Sequence, residues 1–85
     1  MERNEVTVQI QLFARYAELM GREWVEVDVS PGGTVADAIG AVRALPGGES
    51  LPARILVARG LEQVTPDEIL GAGDELAFLP PMSGG

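Results

Sequence analysis

Side chains that could do chemistry are scarce in this 85-residue chain. It contains no cysteine and no histidine, which excludes a thiolate nucleophile, the commonest metal ligands and the usual general base. Acidic residues are plentiful, but Glu26 and Asp28 alternate with valines and are predicted to point outward from a strand. A solvated face explains these two carboxylates better than a catalytic pair. The sequence therefore predicts no metal site and no active site in the folded body.

The end of the chain offers a different kind of chemistry. Its last six residues are Pro80, Pro81, Met82, Ser83, Gly84 and Gly85. Two prolines oppose sheet pairing and favour an extended chain, which at about 3.3 Å per residue would reach roughly 20 Å into another protein. The glycines would pass through a tunnel too narrow for a Cβ. The α-carboxylate at the tip is inert until an ATP-dependent partner converts it to an acyl-adenylate. Taken alone, a terminal Gly-Gly is also explained by a frayed chain end.

Composition is typical of one small globular domain. Hydrophobic residues make up 46% and charged residues 22% of the chain, which argues against disorder. The net charge of −7 argues against binding to nucleic acid and favours a basic protein partner. No apolar run approaches the roughly 18 residues of a membrane helix, and residues 1–5 lack the pattern of a signal peptide. We therefore expect a cytoplasmic protein that does not bind membranes.

The element order follows from hydrophobic periodicity. Alternation from Val6 to Leu12 predicts a strand, and residues 14–20 suit a short helix that ends at Gly21. Thr34 is the predicted N-cap of the main helix, with Asp37 completing a capping box. Further strands are predicted over residues 25–29, 54–58 and 75–79, with only a helical turn after residue 65.

This order predicts an α+β domain in which one main helix packs on a sheet. In so small a chain it suggests a ubiquitin-like β-grasp, with a mixed sheet of four to five strands on that helix. We assign residues 1–79 to the β-grasp domain and residues 80–85 to an extended C-terminal tail ending in Gly-Gly.

Three segments resemble the small subunit of molybdopterin synthase, the family of MoaD-like sulfur carriers. They are LFARYAELMG at 12–21, TVADAI at 34–39 and, most specifically, GDELAFLPPMSGG at 73–85. The likeness covers nearly the whole chain, with only residues 47–53 undistinguished. One departure is Val57-Ala58, where the family usually has Val-Asn after the third strand, and we expect it to alter the local loop.

The resemblance implies a β-grasp protein that carries sulfur as a C-terminal thiocarboxylate on Gly85. An E1-like enzyme would adenylate this glycine with ATP, and a sulfur donor protein would displace AMP. The tail would then enter the large subunit of molybdopterin synthase and donate sulfur to form the dithiolene of molybdopterin. The large subunit would supply the acids and bases, so the carrier would bind no cofactor and would not be catalytic alone.

Phe13, Leu79 and Leu61 are predicted to bind these partners. Phe13 and Leu79 are each out of phase with the inward-facing residues of their strands. If the first and last strands are neighbours, both side chains lie together on the outer face of the sheet. Single exposed apolar residues are normal on protein surfaces, but a cluster of three would form an apolar docking patch.

Alternative functions share this sequence pattern. Thiazole-forming carriers are usually shorter and lack Pro-Pro, whereas a carrier for tRNA thiolation or for conjugation to protein lysines would end in the same way. A ubiquitin-like binding module would use the sheet face and not the tail. A stand-alone enzyme is the weakest interpretation, because no constellation of reactive side chains is present. All six basic residues are arginine, so an activated acyl group would find no lysine on the carrier itself.

Overall fold

The computed structural model describes residues 5–80, and these residues form a five-stranded sheet and two α-helices. A 3₁₀ turn covers Gly48–Ser50. The strands and helices are β1 (Val6–Leu12), α1 (Arg15–Met20), β2 (Trp24–Val29), α2 (Val35–Arg43), β3 (Leu56–Arg59), β4 (Glu62–Val64) and β5 (Glu75–Leu79).

The sheet has the strand order β2-β1-β5-β3-β4. β1 and β5 are parallel, and the other neighbours are antiparallel. β5, the last strand in the sequence, is therefore the central strand of the sheet. This mixed sheet with one main helix confirms the predicted β-grasp and gives it five strands.

The core lies between one face of the sheet and α2. Alternate residues of β1, β2 and β5 are buried, as the two-residue period predicts. α2 adds the buried stripe Val35, Ala38 and Val42. Its capping box is confirmed, since the Thr34 hydroxyl accepts from the Asp37 N–H and the Asp37 carboxylate accepts from the Thr34 N–H at 2.9 Å. Among residues 5–80, no helix packs on the opposite, outer face of the sheet.

The third and fourth strands differ from expectation. β3 begins two residues later than predicted, and β4 was not predicted at all. The turn between them contains Gly60 at φ 65°, and β4 is only three residues long, too short for an alternating pattern to identify it. Ala58 lies within β3 and pairs with Ala77 and Gln63, so the departure from the family pattern falls in a strand and not in a loop.

The helices of the described region are short. α2 is the longest of them, with nine residues. Within residues 5–80, no helix has the length and apolar character needed to cross a bilayer.

Candidate functional site

The predicted tail begins at the end of the central strand. β5 pairs with β1 from Gln9↔Glu75 to Leu12↔Phe78, and it pairs with β3 on its other side. Pro80 follows Leu79 directly and is half-buried. The remaining predicted tail residues, Pro81, Met82, Ser83, Gly84 and Gly85, lie outside the described residues. The root of the tail is thus fixed by hydrogen-bonded strands on both sides.

Phe13 and Leu79 lie at this same end of the sheet. The last registered pair of β1 and β5 is Leu12↔Phe78, and Phe13 and Leu79 each follow by one residue. Phe13 is 38% exposed. On its other side, Leu79 pairs with Leu56 of β3, and the alternation of the strands directs both side chains to the outer face. We call Phe13, Leu79 and Leu56 the exit-end patch, and we call this end of the domain the exit end.

Leu61 lies elsewhere. β3 runs antiparallel to β5, with Leu56 beside Leu79 and Arg59 beside Leu76. The turn after Arg59 therefore lies at the far end of the sheet from the exit-end patch. Leu61 in that turn is fully exposed, at 104%. The structure brings two of the three predicted partner-binding residues together and separates the third.

Trp24 is an exposed residue that the sequence analysis did not single out. It is 43% exposed on the outer face and pairs with Gln11, which pairs in turn with Ala77. These residues and Ala58 line a depression of about 280 Å³. Trp24 precedes Val25, the first inward-facing valine of β2, by one residue. The alternation of that strand therefore could have predicted that Trp24 faces outward.

A groove of about 740 Å³ runs beside the root of the tail, between α1 and the segment after α2. Tyr16, Ser50, Pro52 and Pro80 contribute to its lining. The Tyr16 side chain is buried, and its hydroxyl has no hydrogen-bond partner among the described residues. Burial raises the pKa of this phenol above its ordinary value.

Arg43 holds the far wall of the groove in place. Its guanidinium donates to the carbonyl oxygen of Leu51 at 2.9 Å and to that of Pro52. Gly48 begins the 3₁₀ turn and packs directly on the last turn of α2, where a Cβ would lie 2.0 Å from the Val42 carbonyl oxygen. The exit end is therefore held by close packing and by hydrogen bonds to uncharged acceptors.

Arg59 organises the opposite end of the domain. Its Nη2 lies 2.6 Å from a Glu68 carboxylate oxygen, and its Nη1 lies 3.3 Å from Asp74 and donates to the Ile69 carbonyl at 3.1 Å. The hydrogen bond with Glu68 is the main cause that raises the pKa of Arg59. We call Arg59, Glu68 and Asp74 the clasp. Within residues 5–80, no three acidic side chains converge closely enough to hold a metal ion.

The backbone of residues 66–70, which includes Glu68 of the clasp, bonds to the start of α2. The N–H groups of Val35 and Ala36 donate to the carbonyl oxygens of Glu68 and Pro66, both at 2.9 Å. Leu70 N–H donates back to the Gly33 carbonyl at 2.9 Å. The bonds from Val35 and Ala36 satisfy N–H groups that a helix leaves free at its N-terminus.

Fold and geometry together define a class: a small β-grasp domain whose central strand β5 ends at Leu79 beside a partly exposed apolar patch. The model of the ThiS family matches residues 10–85. The chain belongs to this family of ubiquitin-like sulfur carriers.

Two characterised relatives resemble almost the whole chain. Small archaeal modifier protein 1 of Haloferax volcanii is 44% identical over 84 residues, which cover 88% of this chain and 97% of the relative. Its crystal structure has a TM-score of 0.80 at 41% identity, with 93% of this chain and 99% of that chain covered. The molybdopterin synthase sulfur carrier subunit of Arabidopsis thaliana is 31% identical over 85 residues, which cover 99% of this chain and 88% of the relative.

Proposed function

We propose that this protein is the sulfur carrier of a molybdopterin synthase and carries sulfur as a thiocarboxylate at Gly85. In the first step a carboxylate oxygen attacks the α-phosphorus of ATP on an E1-like enzyme, and pyrophosphate leaves. In the second step sulfur from a donor protein bonds to the acyl carbon while the bond to AMP breaks. The large subunit of the synthase then receives the sulfur for the dithiolene of molybdopterin.

The position of β5 is the observation that carries the proposal. A carrier must present a reactive terminus at a fixed place while its own body stays clear of the partner's active site. β5 is paired on both sides and leads directly into Pro80. The tail therefore starts from a fixed position. Six extended residues reach roughly 20 Å from it.

The exit-end patch supports recognition by a partner. Phe13, Leu79 and Leu56 lie beside the root of the tail on the uncovered sheet face. A partner that encloses the tail must cover this surface as well, and burial of large apolar side chains at the centre of an interface supplies much of its binding energy. Because activation consumes ATP, we expect the carrier to act in the cytoplasm.

A second candidate is a protein modifier, in which the activated Gly85 forms an amide with a lysine of another protein. The 44% identity to small archaeal modifier protein 1 favours this alternative. The chain itself has no lysine, so no side-chain amine of one copy would accept the activated terminus of another. Both candidates require adenylation, and they differ in the nucleophile that follows.

Intact mass spectrometry after activation tests the proposal. The carrier is incubated with an E1-like enzyme, ATP and a sulfur source, and we expect a mass increase equal to the difference between sulfur and oxygen. A variant lacking Gly84 and Gly85 should show no increase. The thiocarboxylate form, mixed with the large subunit and the pterin precursor, should release molybdopterin.

Three results would contradict the proposal. Unchanged mass in the presence of active enzyme would exclude a carrier function. Retention of partner binding and biological activity after the two glycines are removed would favour a binding module. Transfer of the whole chain to lysines of other proteins, with no molybdopterin formed, would favour the modifier.

A further inference from the structure

The centre of the outer sheet face contains a depression for which the proposed function requires no role. Its volume is about 280 Å³. Ala58 and Ala77 pair across β3 and β5 and line it. Trp24 and Glu75 also line it. The depression is thus a small pocket whose lining includes an aromatic ring and a carboxylate.

Trp24 is the strongest recognition element in this pocket. Its side chain is 43% exposed on edge strand β2. Indole is the best aromatic partner for a cation placed over its face, and tryptophan is enriched among residues that dominate binding energy. An isolated exposed aromatic residue has no special meaning, but this one borders a pocket.

Two carboxylates that form no salt bridge among residues 5–80 lie at or beside the pocket. Gln9 pairs with Glu26 of β2 on one side and with Glu75 of β5 on the other. These three residues lie two positions along their strands from Trp24, Gln11 and Ala77, on the same face of the sheet. Glu26 accepts a hydrogen bond from Gln9 at 3.3 Å, and among residues 5–80 neither glutamate is in a salt bridge. Arg59 also lines the pocket, but its charge is compensated by the carboxylates of the clasp.

We propose that this pocket receives a basic side chain of the E1-like enzyme, with the cation over the Trp24 ring and facing Glu75 and Glu26. The inference rests on the proposed function, because it specifies what the partner must supply. The exit-end patch lies one row further along the same face, since Leu79 follows Ala77 by two residues. One partner surface, apolar at one side and basic at the other, would cover both. The net charge of −7 favours approach of such a surface.

Variants of Trp24 separate stacking with a cation from plain apolar contact. The affinity for the cognate E1-like enzyme is measured for wild type, Trp24→Phe and Trp24→Leu, after thermal melts have shown that each variant is folded. We expect Trp24→Leu to lose about tenfold and Trp24→Phe about threefold, because leucine keeps apolar area but offers no ring to a cation. Ile69→Ala is the control, since Ile69 is 63% exposed and lies outside the sheet.

Variants of the glutamates test the charge. Glu75→Gln should weaken binding several-fold and reduce the dependence of affinity on salt, because one attractive charge is removed. Glu49→Gln is the matched control, since Glu49 is exposed on the 3₁₀ turn away from this face. Neither control should change affinity by more than about twofold.

Conversion to the thiocarboxylate is scored in the same reactions, so two failures can be told apart. If no variant and no wild-type protein is converted, the proposed function is wrong and this inference falls with it. If wild type is converted but Trp24→Leu binds as tightly as wild type, the proposed function stands and the basic-side-chain pocket is wrong. Equal salt dependence for wild type and Glu75→Gln would also overturn the pocket.

Discussion

Arginines anchor the segments that pack at the two ends of α2, but in different chemical ways. At the N-terminal end, Arg59 forms ion pairs with Glu68 and Asp74. At the C-terminal end, Arg43 donates to the backbone carbonyls of Leu51 and Pro52. The N-terminal end thus depends on ion pairs, and the C-terminal end depends on hydrogen bonds from a charged donor to uncharged carbonyl acceptors.

The two ends should therefore respond differently to salt, and the exit end also carries the patch that we propose binds a partner. The clasp end presents ion pairs that salt can screen. The exit end presents the patch formed by Phe13, Leu79 and Leu56, and close packing underlies it. We infer that the contribution of the clasp end to stability depends more on salt concentration than the contribution of the exit end does.

The largest expected effect comes from breaking the packing at the exit end. In Gly48→Ala, the new Cβ would lie 2.0 Å from the Val42 carbonyl oxygen and 2.8 Å from the Arg43 Cα. Both are backbone atoms, so the 3₁₀ turn or the end of α2 must move. We expect the free energy of unfolding to fall by about 3 kcal/mol, measured by urea denaturation.

Gly40→Ala is the matched control in the same helix. A Cβ at Gly40 would meet no atom within 4 Å, and alanine favours the helix interior. The free energy of unfolding should rise by about 0.5–1 kcal/mol. A stable Gly48→Ala variant would mean that the 3₁₀ turn yields easily and that packing does not hold this end.

Charge at the exit-end patch should affect binding and leave folding intact. Phe13→Asp introduces a carboxylate on an already exposed position, so its melting curve should match wild type. We expect its affinity for the large subunit to fall about 30-fold, near 2 kcal/mol, in a calorimetric titration. A loss of cooperative melting would instead make Phe13 a core residue.

Leu61→Asp is the comparison at the other end of the sheet. Leu61 is also exposed, but it lies in the turn beyond Arg59, far from Leu79. Its substitution should change the same affinity by less than about twofold. Equal losses for the two variants would mean that the partner covers both ends, and that Leu61 binds it as the sequence analysis predicted.

Local patterns were readable in the sequence, whereas long-range pairing was not. The alternation in β1 and the capping box of Thr34 and Asp37 depend on neighbours within a few residues, and both are confirmed. The parallel pairing of β1 with β5 joins residues far apart in the chain, so periodicity could not specify it. The separation of Leu61 from Phe13 and the pocket beside Trp24 follow from that pairing together with the antiparallel pairing of β3 and β5, and neither was predicted. The chemistry assigned to Gly85 stays a prediction.

Salt should distinguish the two arginines. Arg59→Leu should lower the melting temperature by about 5 °C at low ionic strength, and the loss should shrink near 1 M NaCl, where the Debye length is about 3 Å. Arg43→Leu should lower it by about the same amount at both salt concentrations, because its acceptors are uncharged. Equal salt dependence of the two losses would contradict the comparison between the ends.

The smallest expected effect is a gain in stability at Tyr16, beneath the groove at the exit end. Its buried hydroxyl has no partner among the described residues, so Tyr16→Phe should raise the free energy of unfolding by about 1 kcal/mol near neutral pH. Burial raises the pKa of Tyr16 in the folded state. The protonated phenol therefore favours the folded state fully below about pH 10, and the free energy of unfolding falls as pH rises from there through the folded-state pKa.

Urea denaturation across that range tests this assignment, and the absorbance of the chain's single tyrosine reports its titration directly. Wild type should lose stability at alkaline pH, and Tyr16→Phe should remove the part of that loss that comes from ionisation of Tyr16. A variant less stable than wild type at neutral pH would mean that the hydroxyl has an acceptor outside residues 5–80. Since Pro80 and Tyr16 line the same groove, that result would direct the search for the acceptor to residues 81–85.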